Sequence, residues 1–545
     1  MEKEFIQHKI ISFIFISMSN KYKCLTEFKK ESWNIKGTNL GGLFVLEPWI
    51  TPSLFYQFLN EKDSEKIAMD TYTFCKVLGP VEGQRQLDEH FSKWVNETHI
   101  SSLSKKKITH LRIPVGDWMF QPYGPYIGCT DTSLKYLNKI LNLCHKYSLK
   151  VLLDLHGVKD SQNGLDNSGQ SLNIEYIVAP INKEYDSTLT FIHWPIIAGN
   201  WVGHFDNRFK NYTSINYHNI EFTKSVLYQL IDTYKDHPSL FAIEPLNEPW
   251  IYTPSTVLKD FYYDIYKYMN LHAPHLKFIF HDSFRDSIWK GFLSNCSNVA
   301  LDWHIYQAWN IERYGDQFLL EADNYKTYID KIKSYGLEVV VAEFSLATDN
   351  CALWLNGFQD NLEGYPMTPC MYAPCPFPYI NIKDMDRVKN ILSPFGSGLS
   401  TPMMGTCPYE GLVLIDENKD LFMKNLNLKK LQSFETSQGW FFWNFKTEFE
   451  KEVGWNFEKS YNQGYFKGNS IDPKEMNYAL PGLIIIFVCI FTGLVTTIIY
   501  LNNKSKVKEY KYIQIEVPVA EKNPINKYKT NASTGNIPHY NSINV

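Results

Sequence analysis

Two glutamates occupy settings in which a carboxyl group could do chemistry. Glu248 stands in Asn247-Glu248-Pro249 and Glu343 in Ala342-Glu343-Phe344, each closing a short aliphatic run. Two carboxyls flanking an acetal are what cleavage of a glycosidic bond needs. One protonates the departing oxygen, while the other attacks the anomeric carbon or activates water. A lone glutamate at a strand end is usually just solvated or salt-bridged. The pair gains weight because Arg112, His156, Asn247 and His304 end or follow similar runs, supplying the donors and proton carriers such a site requires.

The elements that must position these residues are legible as eight β-branched or aliphatic runs. They cover 35–39, 110–115, 150–156, 241–248, 277–282, 299–306, 338–344 and 440–445. Stretches with helical spacing lie between them, such as 133–147, with Leu134, Leu137, Ile140 and Leu141 on one side, and 221–234. Strands alternating with helices predict an α/β fold, a (β/α)8 TIM barrel. Such a barrel gathers the carboxyl ends of its strands on one rim, bringing Asn39, Arg112, His156, Glu248, His304 and Glu343 together. No linker divides residues 33–470, so one domain is expected there, with insertions at 170–208 and 355–409.

Composition narrows the function classes. Lys+Arg number 54 against 58 Asp+Glu, a net charge of −4, which argues against a nucleic-acid partner. Aromatic residues reach 15%, which suits either a large ring-packed core or a cleft that stacks rings on a sugar.

The flanks point to a membrane protein of the secretory route. The apolar run 10–18 has the length of a signal-peptide core, and Ser17-Met18-Ser19 offers a cleavage site, so 1–19 is expected to be a leader. Residues 479–501 are 23 in number without a charge. As a helix they would measure about 35 Å, enough to span a hydrocarbon core of about 30 Å. Lys504, Lys506, Lys508 and Lys511 follow at once and place that end in the cytoplasm. The expected arrangement is a single pass, a catalytic domain outside the plasma membrane or in a secretory lumen, and a disordered tail over 502–545. Nine cysteines outside the span imply disulfides plus at least one free thiol, with connectivity open. Sequons at Asn96, Asn211 and Asn295 would be glycosylated on that side.

Seven blocks in one order resemble glycoside hydrolase family 5 enzymes of the fungal exo-β-1,3-glucanase type. They are GTNLGGLFVLEPWITPSLF from Gly37, LRIPVGDW from Leu111, DLHGVKDSQNGLDNSG from Asp154, EPLNEP from Glu244, DWHIYQAW from Asp302, AEFSLATDNCALWLNG from Ala342 and GWFFWNF from Gly439. The resemblance implies Glu248 as acid/base and Glu343 as nucleophile of a retaining reaction, with carboxyls about 5–5.5 Å apart rather than roughly 6.5–9.5 Å. It implies Arg112 and Tyr306 as donors holding Glu343 ionised, and Asn247 as partner of the sugar 2-hydroxyl. It further implies Glu47, His156, Asp166, Asn167, His304 and Asn356 around the terminal glucose, with Trp309 and Trp443 as aromatic walls. No metal or organic cofactor is implied, because two carboxylates suffice. The partner is a β-glucan or β-glucoside substrate.

Some positions depart from that pattern. Trp49 stands where Tyr is expected, Leu165 where Phe is expected, and Leu43-Phe44 where Trp-Leu is usual. In the longer 170–208 insertion, Trp194 and Trp201 are candidates for further sugar contacts. Transglycosylation, another β-glucoside linkage, or a non-catalytic carbohydrate receptor are the alternatives. Retention of both glutamates weighs against the last.

Overall fold

Each of the eight apolar runs forms a strand. They are β1 (Ile35–Asn39), β2 (His110–Gly116), β3 (Lys150–Gly157), β4 (Leu240–Glu244), β5 (Lys277–His281), β6 (Val299–Ile305), β7 (Glu338–Phe344) and β8 (Gly439–Phe442). In this computed structural model the strands pair in parallel, each with its neighbours in sequence, and β8 closes on β1. The structure describes residues 21–25, 31–58, 63–172, 174–178, 189–193, 198–206, 208–308, 316–348, 416–448 and 453–466, together with Ala352 and Leu355. The expected leader, membrane span and tail, and the site candidates Trp309 and Asn356, lie outside the described residues. Among the described residues no helix is long and apolar enough to cross a membrane.

The strands read as nearly continuous apolar runs because both of their faces are covered. All seven residues of β2 and of β7 are buried. Ile35, Leu152, Ala242, Ile279, Ala300, Val340, Ala342 and Phe441 fill the barrel interior as one cluster. Small alanines on β4, β6 and β7 leave room for Phe441. Gly37 is needed beside that ring, since a Cβ there would lie 2.2 Å from it. On the outside, helices such as α3 (Ser133–Lys146) lay Leu137, Ile140, Leu141 and Cys144 against the strands.

Strand register sets the functional rim. Asn39 aligns with Arg112, Asp154 with Glu244, and His304 with Glu343. The fourth strand is shorter than its apolar run suggests and stops at Glu244 instead of Glu248. Beyond it Asn247 N–H donates to the Leu155 carbonyl at 3.0 Å, and Glu248 turns to a φ of 39°. A left-handed backbone costs a non-glycine residue roughly 1–2 kcal/mol. Here it carries the Glu248 carboxyl out of the ladder and over the barrel mouth. The eighth strand also ends early, at Phe442, because Asn444 Oδ1 accepts the N–H groups of Gly41 and Phe445.

Among the described residues two disulfides fasten the periphery. Cys24–Cys296 ties the N-terminal segment to the loop after β5, and Cys75–Cys129 joins α1 (Thr71–Trp94) to the loop before α3. Cys144 is a buried free thiol.

Candidate active site

Arg112 on β2 is the hub of the barrel mouth. It is fully buried, a place a guanidinium tolerates only when carboxylates surround it. Its Nε and Nη2 donate to the two oxygens of Glu244 at 2.8 and 3.1 Å. Its Nη1 donates to Glu343 Oε1 at 2.6 Å and to Asn39 Oδ1 at 3.0 Å. Nη2 also reaches Asn247 Oδ1 at 2.8 Å and Asp154 Oδ2 at 3.1 Å. Burial opposes the charge, but Asp154, Glu244 and Glu343 outweigh it and hold Arg112 cationic. One side chain thus orients two candidates from different strands, Glu343 and Asn247.

The two glutamates meet at His304 on β6. Its Nδ1 lies 2.7 Å from Glu248 Oε1 and 3.4 Å from Glu343 Oε2, while Nε2 lies 2.9 Å from Asp302 Oδ2. Tyr306 donates its hydroxyl to Glu343 Oε2 at 2.5 Å, and Asn167 donates to Glu248 Oε2 at 3.0 Å. Glu248, Glu343, His304 and Tyr306 are all buried.

Acidities in the site do not match the expectation that Arg112 and Tyr306 keep Glu343 the more readily ionised. Burial raises Glu343, and the charges of His304 and Arg112 only partly offset this. Burial also works against ionised Glu248, but the bond and charge of His304 prevail and bring it down to about 2. His304 itself is desolvated, yet Asp302 and Glu343 raise it well above the ordinary histidine range. These directions favour the proton on His304 over Glu248, because the neighbouring carboxylates offset the cost of burying a cationic imidazole.

The other candidates line the same mouth. Glu47 is buried and takes an indole N–H from Trp49 on Oε2 at 2.8 Å. Its Oε1 and Asp166 Oδ2 are shielded and have no hydrogen-bond partner among the described residues. Burial and mutual repulsion raise Glu47 well above the usual carboxylate range, and burial with the nearby Asp70 charge raises Asp166 to about 7. His156 Nδ1 donates to Asp154 Oδ2 at 2.5 Å, and its ring lies parallel to Trp443 with centroids 5.6 Å apart. All eleven site candidates within the described residues thus gather at one mouth. Trp201 does not: it is buried, donates to Thr223 at 2.9 Å and packs edge-on against Phe261. It is a core residue, and Trp194 lies outside the described residues.

Sequence reasoning missed Asp154, Glu244, Asp302 and His281. A signal for two of them was present. Asp154-Leu155-His156 and Asp302-Trp303-His304 repeat one Asp-x-His spacing, and period two on a strand puts each acid on the same face below its histidine. Two clusters, Glu248–His281–His304 and Glu244–Asp302–His304, hold possible metal-ligand atoms within 4.8 Å of one another. Both share His304, whose ring nitrogens are already bonded to Glu248 and Asp302, so the arrangement reads as a proton relay.

Comparisons with known proteins agree with this geometry. A family model described as Cellulase (glycosyl hydrolase family 5) matches residues 79–361. A "Glucan 1,3-beta-glucosidase" of Blumeria graminis is 30% identical over 445 residues, spanning 79% of this chain and 86% of that protein. One of the same name from Schwanniomyces occidentalis is 29% identical over 450 residues, spanning 79% and 87%. Among solved structures, the rutinosidase from Aspergillus niger superposes with a TM-score of 0.53 at 16% identity, over 81% of this chain and 100% of its own, which supports the fold alone. The chain belongs to glycosyl hydrolase family 5 and is a glycoside hydrolase.

Proposed function

We propose that this protein is a retaining exo-β-1,3-glucanase that releases glucose from non-reducing ends, with Glu248 as acid/base and Glu343 as nucleophile. The observation that carries the reading is the shared use of His304 Nδ1. Glu248 Oε1 and Glu343 Oε2 lie 2.7 and 3.4 Å from that one atom, so they can be no further apart than those lengths end to end. So short a limit on the two facing oxygens supports the roughly 5–5.5 Å separation of a retaining pair over the roughly 6.5–9.5 Å of an inverting one.

In the first step Glu343 attacks the anomeric carbon while Glu248 protonates the glycosidic oxygen, whose bond to that carbon breaks. In the second, Glu248 takes a proton from water, which displaces Glu343 from the same carbon. Arg112 and Tyr306 orient both oxygens of Glu343. Asn247, held by Arg112, would bond the 2-hydroxyl. The oxygens of Glu47 and Asp166 that have no partner among the described residues would accept further sugar hydroxyls, and Trp443 would offer a ring face. The names of the fungal relatives support β-1,3-glucan as substrate.

The proposal extends to location. The leader, the 479–501 span and the lysines after it suit a catalytic domain outside the cell on a single pass. Two disulfides favour an oxidising compartment.

The test is hydrolysis of laminarin by the full-length protein and by Glu343→Gln, followed by NMR. β-Glucose appearing first from the wild type and no product from the variant is expected. α-Glucose first would overturn retention, and oligosaccharides without glucose would overturn exo-action. Elongated glucans would mark a transglycosylase, and binding without turnover a receptor.

A further inference from the structure

His304 is bonded to a carboxylate at each ring nitrogen, and both carboxylates are committed as acceptors. Asp302 takes the Ala342 N–H on Oδ1 at 3.0 Å and faces His304 Nε2 with Oδ2 at 2.9 Å. Glu248 takes the Asn167 amide on Oε2 and faces Nδ1 with Oε1. An imidazolium donates to both as carboxylates, whereas a neutral imidazole donates to one and leaves the other bond to be made by a proton on the carboxyl. The charged neighbours agree. Asp302 on its own strand, Glu343 and Glu248 beside Nδ1, and Glu244 deeper in the barrel favour the cation, and the opposing Arg112 charge is neutralised by its own bonds to Glu244 and Glu343. From β5, the His281 ring meets His304 edge to face at 4.4 Å. Its Nδ1 accepts the Ser283 N–H at 2.9 Å, and burial holds it neutral, so it adds no opposing charge. Asp282, the remaining acid at that end of β5, is raised by burial to about 7.

We infer that His304 stores the catalytic proton and that Asp302 is the positioning residue that lets it do so. The inference rests on Glu248 being the acid/base. At rest the pair is His304 imidazolium with Glu248 carboxylate. As substrate seats, the Nδ1 proton passes to the Glu248 carboxyl and from there to the glycosidic oxygen, which keeps the electron pair of the broken bond. His304 is left neutral with its proton on Nε2, facing Asp302. Glu343 loses its charge in the same step by becoming an ester, so His304 gives up its positive charge as its negative neighbour disappears. In the second step water returns the proton through Glu248 to Nδ1 as Glu343 leaves the sugar as a carboxylate. The charge summed over His304, Glu248 and Glu343 is the same before and after each step.

Asp302→Asn separates storage from shape. The amide oxygen can keep the Ala342 N–H, which turns the amide N–H groups toward His304 Nε2. The ring then holds its only proton on Nδ1, still bonded to Glu248, and cannot release it without becoming an anion. For laminaribiose, whose leaving group needs a proton, kcat/KM should fall about 100-fold or more, and for 2,4-dinitrophenyl β-glucoside, which needs none, less than about tenfold. Equal losses on both substrates, or no loss on laminaribiose, overturn the inference. Glu248→Gln run alongside tests the underlying assignment: if it shows the split between substrates and Asp302→Asn does not, only the proton store falls. Should Asp302→Asn fail to fold, 15N-histidine NMR of the wild type decides, with His304 identified by its absence in His304→Gln. Both ring nitrogens protonated at pH 7, and a neutral ring after Glu343 is trapped by a 2-fluoroglucosyl fluoride, are expected. A neutral ring in the free protein, or a cation in the trapped one, overturns it.

Discussion

Arg112 and Glu244 face each other as a two-bonded clamp, Nε and Nη2 against both carboxylate oxygens at 2.8 and 3.1 Å, wholly inside the barrel. The clamp fixes the plane of the guanidinium, and the remaining N–H groups then point at Glu343 and Asn247. Glu244→Gln would keep one acceptor and turn an amide donor against Nη2. We expect kcat to fall about 10- to 100-fold with KM little changed, because the misplacement acts on the attacking carboxylate. Urea unfolding should show a loss of up to about 3 kcal/mol, since the partner left behind is a buried charge. An unchanged kcat would mean that Asn39 and Asp154 hold Arg112 without Glu244.

The Trp49 indole does for Glu47 what a phenol could also do at this position. Its N–H reaches Oε2 at 2.8 Å, and the ring is wedged edge-on against Trp455. Trp49→Phe removes the donor and leaves a buried carboxyl with one bond fewer. Leaving a buried polar group without a partner costs about 1–3 kcal/mol, so KM for laminaribiose should rise roughly tenfold or more. Trp49→Tyr should recover part of it. Kinetics of the three proteins side by side would show this, and equal KM values would count against Glu47 as a sugar ligand.

The barrel was legible because parallel strands buried on both faces must be apolar throughout, which is why all eight runs in the sequence are strands. Strand ends were less so. The run through Glu248 is continuous in sequence, but the chain leaves the ladder at Glu244 because the Asn247 N–H bonds across to Leu155. Of the site, the residues that would touch sugar stand in recognisable blocks, whereas Asp154, Glu244 and Asp302 act through Arg112 and the histidines. Nothing local marks a buried acid as such, since its burial comes from strands far away in sequence. The acidities follow the same rule, since the deciding charge is His304, which reaches both Glu248 and Glu343 from another strand.

The Cys24–Cys296 bond lies far from the barrel mouth in its contacts. The segment it holds places the Tyr22 ring against Tyr263 and Phe292 and bonds Tyr22 to Asp260 at 2.7 Å. Cys24→Ser with Cys296→Ser should lower stability by about 2–4 kcal/mol through greater freedom of the unfolded chain. It should leave kcat and KM unaltered at 20 °C. A changed KM would mean the loop after β5 communicates with the site.

Asp166 couples sugar binding to the pH dependence of stability. Burial and the Asp70 charge raise it to about 7, against about 3.9 for an unfolded aspartate. Between those values the folded chain binds the extra proton, so stability at this position falls as pH climbs from about 4 to 7 and then levels off. Asp166→Asn removes the titration while keeping the shape. Its melting temperature should match the wild type near pH 4.5 and exceed it by roughly 1–3 °C at pH 7.5. The same substitution should raise KM, because the shielded Oδ2, without a partner among the described residues, is the acceptor a sugar hydroxyl would take. Melting curves at the two pH values and a KM measurement are enough. A gain in stability at both pH values would trace the effect to packing, and an unchanged KM would remove Asp166 from the sugar pocket.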